Sequence, residues 1–396
     1  MNAEGFVSPG LDLADPGFVA DPYPMLAELR KAGPMVWHEP SDRWLATTHD
    51  AVTRVLRDRA FGRIWSDWEP ADEMEPFNTL HRNQMMENEP PAHTRLRRLV
   101  AGAFGRGHVE RMKPRIESLV ETTLDHLDGT VDILAEYAEP LPVFVICDLL
   151  GVPRDDHVQL RAWSQAIVHM YEHDVDEHTR VEAVAASVAF ADYVRSVLTE
   201  RRARPGDDLV SDLLDTDLSD DELVASVVLL LNAGHEASVN VFGNGLHALL
   251  THPDQLERVT SGSVPMATAL EELIRFDAPL QLFERTATTD VEVAGATVEK
   301  GQVVACLMGS ANRDEAVFGS AGQTGAAMLD VGRGPNPHVG FGMGVHFCLG
   351  APLARLELEI TFRHLLERWP DLELAAPAPR RPTWVLRGFE RIEVSL

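Results

Sequence analysis

From Ser219 to His252 the chain contains no proline, and this stretch limits the possible folds more than any other. Ser219-Asp-Asp-Glu222 has the spacing of a capping box, in which serine and glutamate satisfy free backbone N–H groups at a helix start. The helix it opens ends before His252-Pro253 and spans roughly 45 to 50 Å at 1.5 Å per residue. Between Leu223 and Leu231 it is apolar almost all round, so it crosses the middle of a large core and the remaining elements have to wrap around it. The 45% apolar content is enough to build such a core. The character then changes. Ala233-Gly234-His235-Glu236-Ala237-Ser238 places Ala233, Gly234 and Ala237 on one face, small enough for a flat ring to lie against it, while Glu236 and Ser238 bring polarity into a buried setting. Taken alone, such a step reads as a packing defect satisfied by water.

Helical patterns dominate elsewhere: residues 22 to 31, His49 to Arg57, Gly107 to Arg204 with breaks at its prolines, Val264 to Phe276, and Leu349 to Trp369. Met35 to His38 and Trp44 to Thr48 alternate around Glu39-Pro40-Ser41-Asp42 and read as a hairpin. Val291 to Val298 and Gln302 to Leu307 read as strands, and Val385 to Phe389 with Arg391 to Ser395 as a terminal hairpin. Between Phe61 and Pro91 the periodicity is lost, yet Trp65, Trp68, Phe77, Leu80, Met85 and Met86 favour a packed or ligand-contacting loop. Gly319 to Gly340 reads by composition as a disordered linker. No internal repeat or dividing linker occurs, so residues 1–396 are expected to form a single, mainly α domain with a small β-rich lobe.

Near the C-terminal end, Phe341-Gly-Met-Gly-Val-His-Phe-Cys348-Leu-Gly350-Ala-Pro352 presents a thiol just before a helix that begins with proline. Unpaired N–H groups and the helix dipole there favour the thiolate, the form that binds metals. A lone cysteine with apolar neighbours is ordinarily a small buried hydrophobe. A dinucleotide fingerprint fails because Phe347 stands where the third glycine is required. A zinc site fails because no second Cys or His pair lies at ligand spacing.

The pattern Phe341, Gly344, His346, Cys348, Gly350 resembles the cysteine-ligand loop of cytochrome P450, the haem-thiolate monooxygenase family, in its soluble bacterial form. Further motifs follow in that family's order at Arg97, Glu236, Glu272/Arg275, Asn312/Arg313 and Cys348, so the resemblance covers nearly the whole chain. It implies the cytochrome P450 fold and haem b, with Cys348 as the iron ligand; thiolate ligation pushes electron density toward oxygen and favours O–O cleavage. Phe341 and Gly350 fall in the cofactor-binding loop. His93 and Arg97, together with Arg285 and His346, match positions that hold the haem propionates, whose carboxylates call for charged donors. Glu236 matches the acid of Ala-Gly-x-acid-Thr, which manages protons during oxygen activation. Ala237 stands where that motif has threonine and Ser238 follows, which puts the usual proton route in question. Glu272 and Arg275 match a buried ion pair beneath the cofactor loop, and Met328 occupies a usual arginine position, implying an altered network there. The resemblance also sets residues 61–91 over the substrate pocket, leads Ser164 to Glu172 into a lid, brings the terminal hairpin to the pocket, and wraps Gly319 to Gly340 under the haem.

Against 62 Asp+Glu the chain has 35 Lys+Arg, and the net charge of −27 argues against a nucleic-acid or anionic-membrane partner. No run of about 18 apolar residues occurs, the first residues lack a signal-like pattern, and three separated cysteines offer no disulfide framework. A soluble, cytoplasmic, monomeric enzyme is expected. Locally the charge reverses: Arg95, Arg97, Arg98, Arg106, Arg111, Lys113 and Arg115 face the single acid Glu110, a patch suited to steer an acidic ferredoxin, itself reduced by ferredoxin reductase. The expected activity is dioxygen activation with oxygen insertion into a C–H or C=C bond of a small, largely apolar, natural-product-like molecule. Ala237 slightly raises the alternative of oxidative coupling or ring closure. A haem protein that binds a ligand without turnover is the reading from another class; Glu236 and Ser238 argue against it, since a mere binder needs no proton route.

Overall fold

The computed structural model describes residues 11–13, 15–102, 106–172, 175–319 and 324–396. Its central helix is Asp220–Leu250, with both halves of the capping box formed: Ser219 N donates to Glu222 Oε2 at 2.9 Å and Glu222 N to Ser219 Oγ at 3.3 Å. The 31 residues extend about 46 Å. In length and hydropathy this helix could cross a membrane, but 78% of its most apolar window is buried inside the protein, so packing accounts for its composition. Helices Ala71–Arg82, Pro140–Leu150, His157–Val168, Glu177–Ala203, Met266–Phe276 and Ala351–Arg368 pack around it and share one hydrophobic cluster with it. Gly245 permits a close approach, since a Cβ there would lie 3.0 Å from Phe362 and 3.1 Å from Leu273 on two of those helices.

On this largely buried rod, Ala233 and Ala237 keep accessible side chains. Gly234 does not join them. A Cβ at Gly234 would contact Ile146 of helix Pro140–Leu150 at 3.5 Å, because one residue turns the helix by about 100°. The expected three-residue face is therefore made by the two alanines.

The β-rich lobe is a five-stranded sheet in the spatial order Met35–His38, Arg43–Ala46, Val303–Leu307, Leu282–Ala287, Phe61–Gly62. The first two strands form the expected hairpin, with Trp37 opposite Trp44. Leu282–Ala287 runs antiparallel to Val303–Leu307 and sets Arg285 opposite Val304. Three expectations need correction. Val291 to Val298 is two strands, Val291–Val293 and Ala296–Val298, folded back around Ala294 and Gly295, whose φ values of 47° and 86° make a left-handed turn. Glu393–Ser395 pairs with Thr130–Asp132 and Glu373–Leu374 rather than with 385–389, which forms only the isolated bridges Leu280 to Leu386 and Arg380 to Phe389. Within the expected loop at 61–91 lies the helix Ala71–Arg82; Met74, Phe77, Asn78 and His81 recur at helical spacing and are buried, a period interrupted in sequence by Pro76 and acidic residues.

Glu272 and Arg275 are fully buried, with Arg275 Nε and Nη2 donating to Glu272 at 2.7 and 2.8 Å. Arg333 Nε lies 3.1 Å from both oxygens of the same carboxylate. Met328 therefore does not cost the network its second cation: Arg333 supplies it, and Met328 contributes only its carbonyl. Carbonyls of Thr324, Gly325, Ala326 and Met328 accept from these two guanidinium groups, which orders a segment whose composition alone reads as a linker. A second knot centres on Asp277, which accepts from Tyr23 OH at 2.7 Å, Arg380 Nη2 at 2.6 Å and Arg387 Nε at 2.8 Å. Arg387 also donates to Val19 O and Ala20 O, so the knot joins the N-terminal segment to the C-terminal one.

Candidate active site

The cysteine loop is shaped by its glycines. Gly342 and Gly344 both have left-handed φ, 71° and 72°, and a Cβ at Gly344 would fall 2.2 Å from the carbonyl oxygen of Leu56. Cys348 N donates to Phe341 O at 2.9 Å, closing the loop. Beyond it starts the helix Ala351–Arg368 with Gly350 as its N-cap residue, and the amides of Gly350 and Ala351 point at the Cys348 sulfur. Arg97 reaches the same loop, donating to Phe347 O at 2.7 Å; Arg355 lies over the Phe341 ring at 4.4 Å while bound to Glu271. Burial pushes the Cys348 thiol up, and those amides together with Arg97 and Arg355 only partly offset it. The helix N-terminus acts in the expected direction, toward the thiolate, and burial outweighs it. Cys348 nevertheless keeps an accessible face, and metal coordination would deprotonate a thiol placed there.

His93, Arg97, Arg285 and His346 come together beside this loop. The His93 and His346 rings are 4.4 Å apart, and Arg285 is 4% exposed, with its guanidinium 5.7 Å from the Phe283 ring. Burial, with the His346 and Arg97 charges, lowers His93 to about 4, and its Nδ1 has no hydrogen-bond partner among the described residues. Glu89 is the carboxylate these groups share: it accepts from His346 Nε2 at 2.8 Å and from Arg63 N at 2.7 Å and sits in the field of Arg285. Burial opposes its ionisation, but the hydrogen bonds win and hold it below the usual carboxylate range. An orphaned buried ring nitrogen among converging cationic donors, next to an accessible thiol, fits a cofactor that carries carboxylate arms and a metal. Neither Glu89 nor Arg63 was found by sequence reasoning. The signal for Glu89 was its place four residues before His93; Arg63 had none.

On the central helix Glu236 is buried, and Ala237 is accessible, with Ser238 buried on the other side. Arg381 Nη1 donates to Glu236 Oε1 at 3.0 Å, while Oε2 is buried without a partner among the described residues. Burial raises the Glu236 carboxyl, Arg381 and His169 pull it down, and the net direction is up. Arg381 is nearly 150 residues away in sequence from the acid it pairs with, and no local pattern announces it.

Within the segment 61–91, His81 stacks on Phe77 at 3.9 Å and on Trp65 at 4.8 Å, and its Nε2 is 3.0 Å from Tyr171 OH. The segment 61–91 is thereby joined to the turn His169–Tyr171 of the expected lid. The basic run is redistributed. Arg95 is paired with Glu222, Arg97 is committed to the cysteine loop, and Arg111 and Arg115 line a groove with Asp148, Asp207 and Asp212. The Arg106 side chain lies outside the described residues, which leaves Arg98, Arg111, Lys113 and Arg115 as exposed cations of the run, Arg111 and Arg115 at the edge of that groove.

Comparison with known proteins agrees with this geometry. The family description "Cytochrome P450" matches residues 265–375. The chain is 35% identical to the cytochrome P450 monooxygenase PikC of Streptomyces venezuelae, over 98% of this chain and 94% of PikC. It is 36% identical to 6-deoxyerythronolide B hydroxylase of Saccharopolyspora erythraea, over 97% of this chain and 98% of that enzyme. Among solved structures, P450BioI in complex with an acyl carrier protein superposes with a TM-score of 0.92 at 31% identity, covering 96% of this chain and all of that one. Sequence match and fold agree: the chain belongs to the cytochrome P450 family, the haem-dependent monooxygenases.

Proposed function

We propose that this enzyme inserts one oxygen atom from dioxygen into a C–H or C=C bond of a small, largely apolar, natural-product-like molecule. The observation that carries the reading is the accessible Cys348 thiol at a helix N-terminus beside His93, Arg97, Arg285 and His346. Haem bound there through Cys348 supplies the activation of dioxygen. Arg97, Arg285, His346 and the orphaned His93 Nδ1 serve as donors to its carboxylates, and the loop from Phe341 to Gly350 lies against its face. Ala233 and Ala237 leave room for a planar group, and Glu236 holds a proton close to where oxygen reacts. PikC and 6-deoxyerythronolide B hydroxylase, by their names monooxygenases or hydroxylases, support the reaction class.

Ala237 offers no hydroxyl where a relay would hold water, so a substrate hydroxyl or carbonyl, or water held by Glu236 and Ser238, completes the proton route once substrate is bound. Electrons come from a ferredoxin and its reductase, docking on the exposed cations Arg98, Arg111, Lys113 and Arg115 of the run 95–115, and the enzyme works as a cytoplasmic monomer. The test is a natural-product panel: a true substrate shifts the haem spectrum, raises NAD(P)H consumption in a ferredoxin-reconstituted system and yields an oxygenated product. Spectral shifts without any product across the panel would favour a ligand-binding protein instead.

A further inference from the structure

Glu271 and Glu272 are neighbours on the helix Met266–Phe276 but serve different partners, because one residue turns a helix by about 100°. Glu272 points into the buried arginine network, and Glu271 faces the helix Ala351–Arg368 that follows Cys348. Arg355 on that helix grips Glu271 with two hydrogen bonds, donating Nε to Oε1 at 2.6 Å and Nη2 to Oε2 at 2.9 Å. His338 Nε2 reaches the same carboxylate, 2.9 Å from Oε2. Its Nδ1 accepts from Gly340 N at 3.1 Å, so the proton sits on Nε2 and His338 donates to Glu271. The Arg355 guanidinium lies over the Phe341 ring, 4.4 Å from its centroid, and Phe341 O accepts the Cys348 amide. From Gly340 through His338, Glu271 and Arg355 to Phe341 the contacts return to the next residue of the cysteine loop, which makes a closed brace.

Stability alone gives this arrangement little to do. The Arg355 and Glu271 side chains are 36% and 28% exposed, and ion pairs so open to water contribute little to folding. Their geometry is specific instead: a two-pronged carboxylate contact and an aromatic face together hold the guanidinium in one place. Without them, a side chain this long and this exposed extends its charge into water. The Cys348 sulfur lies within the field of Arg355. The loop's other cation, Arg97, is fixed separately through Phe347 O at 2.7 Å. We propose that Glu271 is a positioning residue: it locks Arg355 over Phe341, and the charge held there sets the reduction potential of haem bound through Cys348. A cation fixed beside the sulfur draws electron density away from the thiolate and favours the added electron, so the brace raises the potential.

The inference rests on the reading of Cys348 as the iron ligand, and two readouts on the haem-loaded protein keep them apart. The Soret band of the reduced carbon monoxide complex reports the ligand, and a spectroelectrochemical titration reports the potential. Arg355→Gln is expected to lower the potential by about 59 mV, a roughly tenfold loss in the one-electron equilibrium constant. Arg355→Lys, which keeps a charge without the fork, is expected to fall between that variant and the parent. Glu271→Ala decides the role of the acid. Removing an anion by itself favours the added electron and raises the potential, whereas releasing Arg355 into water lowers it. The brace predicts a fall in the parent background and no further fall when Glu271→Ala is combined with Arg355→Gln. Glu271→Gln, whose amide nitrogen cannot accept from Arg355, is expected to shift in the same direction and takes the place of Glu271→Ala if that variant does not load haem. A potential that rises or stays unchanged on loss of the Glu271 carboxylate, with the red-shifted band intact, would overturn the brace and leave Cys348 in place. A parent complex without that band would remove Cys348 as the ligand and the brace with it.

Discussion

Replacing Asp277 by asparagine tests whether the C-terminal segment is held by buried charge. Asp277 is 5% exposed and faces two guanidinium groups, Arg380 at 2.6 Å and Arg387 at 2.8 Å, with Tyr23 OH at 2.7 Å. Burial pushes its carboxyl up, but Arg380 and Arg387 outweigh that and hold it well below the usual range. Asparagine keeps the shape and removes the charge, leaving two buried cations without their counter-ion, which costs about 3–5 kcal/mol. That is about two to four orders of magnitude in the folded-to-unfolded ratio. Tyr23→Phe removes one hydrogen bond to the charged group and leaves the ion pairs, so its cost is about 1.5–3 kcal/mol. Guanidinium unfolding followed by tryptophan fluorescence is the assay, since Trp384 packs on Phe18 within the joined segments. A depressed carboxyl contributes stability that is present above its unfolded pKa of about 3.9 and lost as pH falls through the folded value. The gap between parent and Asp277→Asn should therefore be constant from pH 8 to pH 5 and shrink only in stronger acid. A gap under about 1 kcal/mol at pH 7, or one smaller than that of Tyr23→Phe, would refute the reasoning.

In Cys348→Ala the reduced carbon monoxide complex should lose the red-shifted Soret band of thiolate ligation; keeping it would remove Cys348 as the iron ligand. For Ala237→Thr, product per NAD(P)H should improve for a deoxy analogue that couples poorly in the parent, and equal coupling of substrate and analogue in both proteins would sink the substrate-assisted route. Glu357 is buried in the helix Ala351–Arg368, and burial alone raises it to about 8. A carboxyl raised above its unfolded value of about 4.3 loses stability as pH climbs from there toward the folded value, about 3 kcal/mol by pH 7. Glu357→Gln should thus match the parent near pH 4.5 and exceed it increasingly toward pH 8 in urea midpoint, and a pH-independent difference would show that the carboxyl is not held neutral.

What could be read from the sequence was whatever a few adjacent residues impose by themselves. The capping box at Ser219 and the apolar run after it fix a helix because both signals lie within one or two turns of each other. The cysteine loop could be read for the same reason: left-handed turns at Gly342 and Gly344 and a helix start after Cys348 are local demands on backbone. The helix Ala71–Arg82 was hidden by Pro76 and its acids, although its buried residues keep helical spacing. Here tertiary packing overrode local propensity, as tertiary context does when one face finds a core to bury against.

The missed parts of the site share another property: each is an ion pair between residues distant in sequence. Arg381 with Glu236, Glu139 with Arg161 and Arg333 with Glu272 leave no period or spacing, since a guanidinium can be delivered from any element that passes within reach. The motif reading therefore named the acid at 236 but not its charge state, which depends on partners the motif does not contain. Arg333 shows the converse: the buried carboxylate of Glu272 has its second cation from a residue the motif reading did not name, and Met328 contributes only its carbonyl. The same reasoning limits how Ala237 can be read. A hydroxyl missing from one helix position can be supplied by any group that reaches the same volume, so on the proposed reading Ala237 changes which molecule completes the proton route. On the proposed reading that volume is bounded by Glu236 and the accessible face of Ala237, and the substrate's own polar atoms enter it.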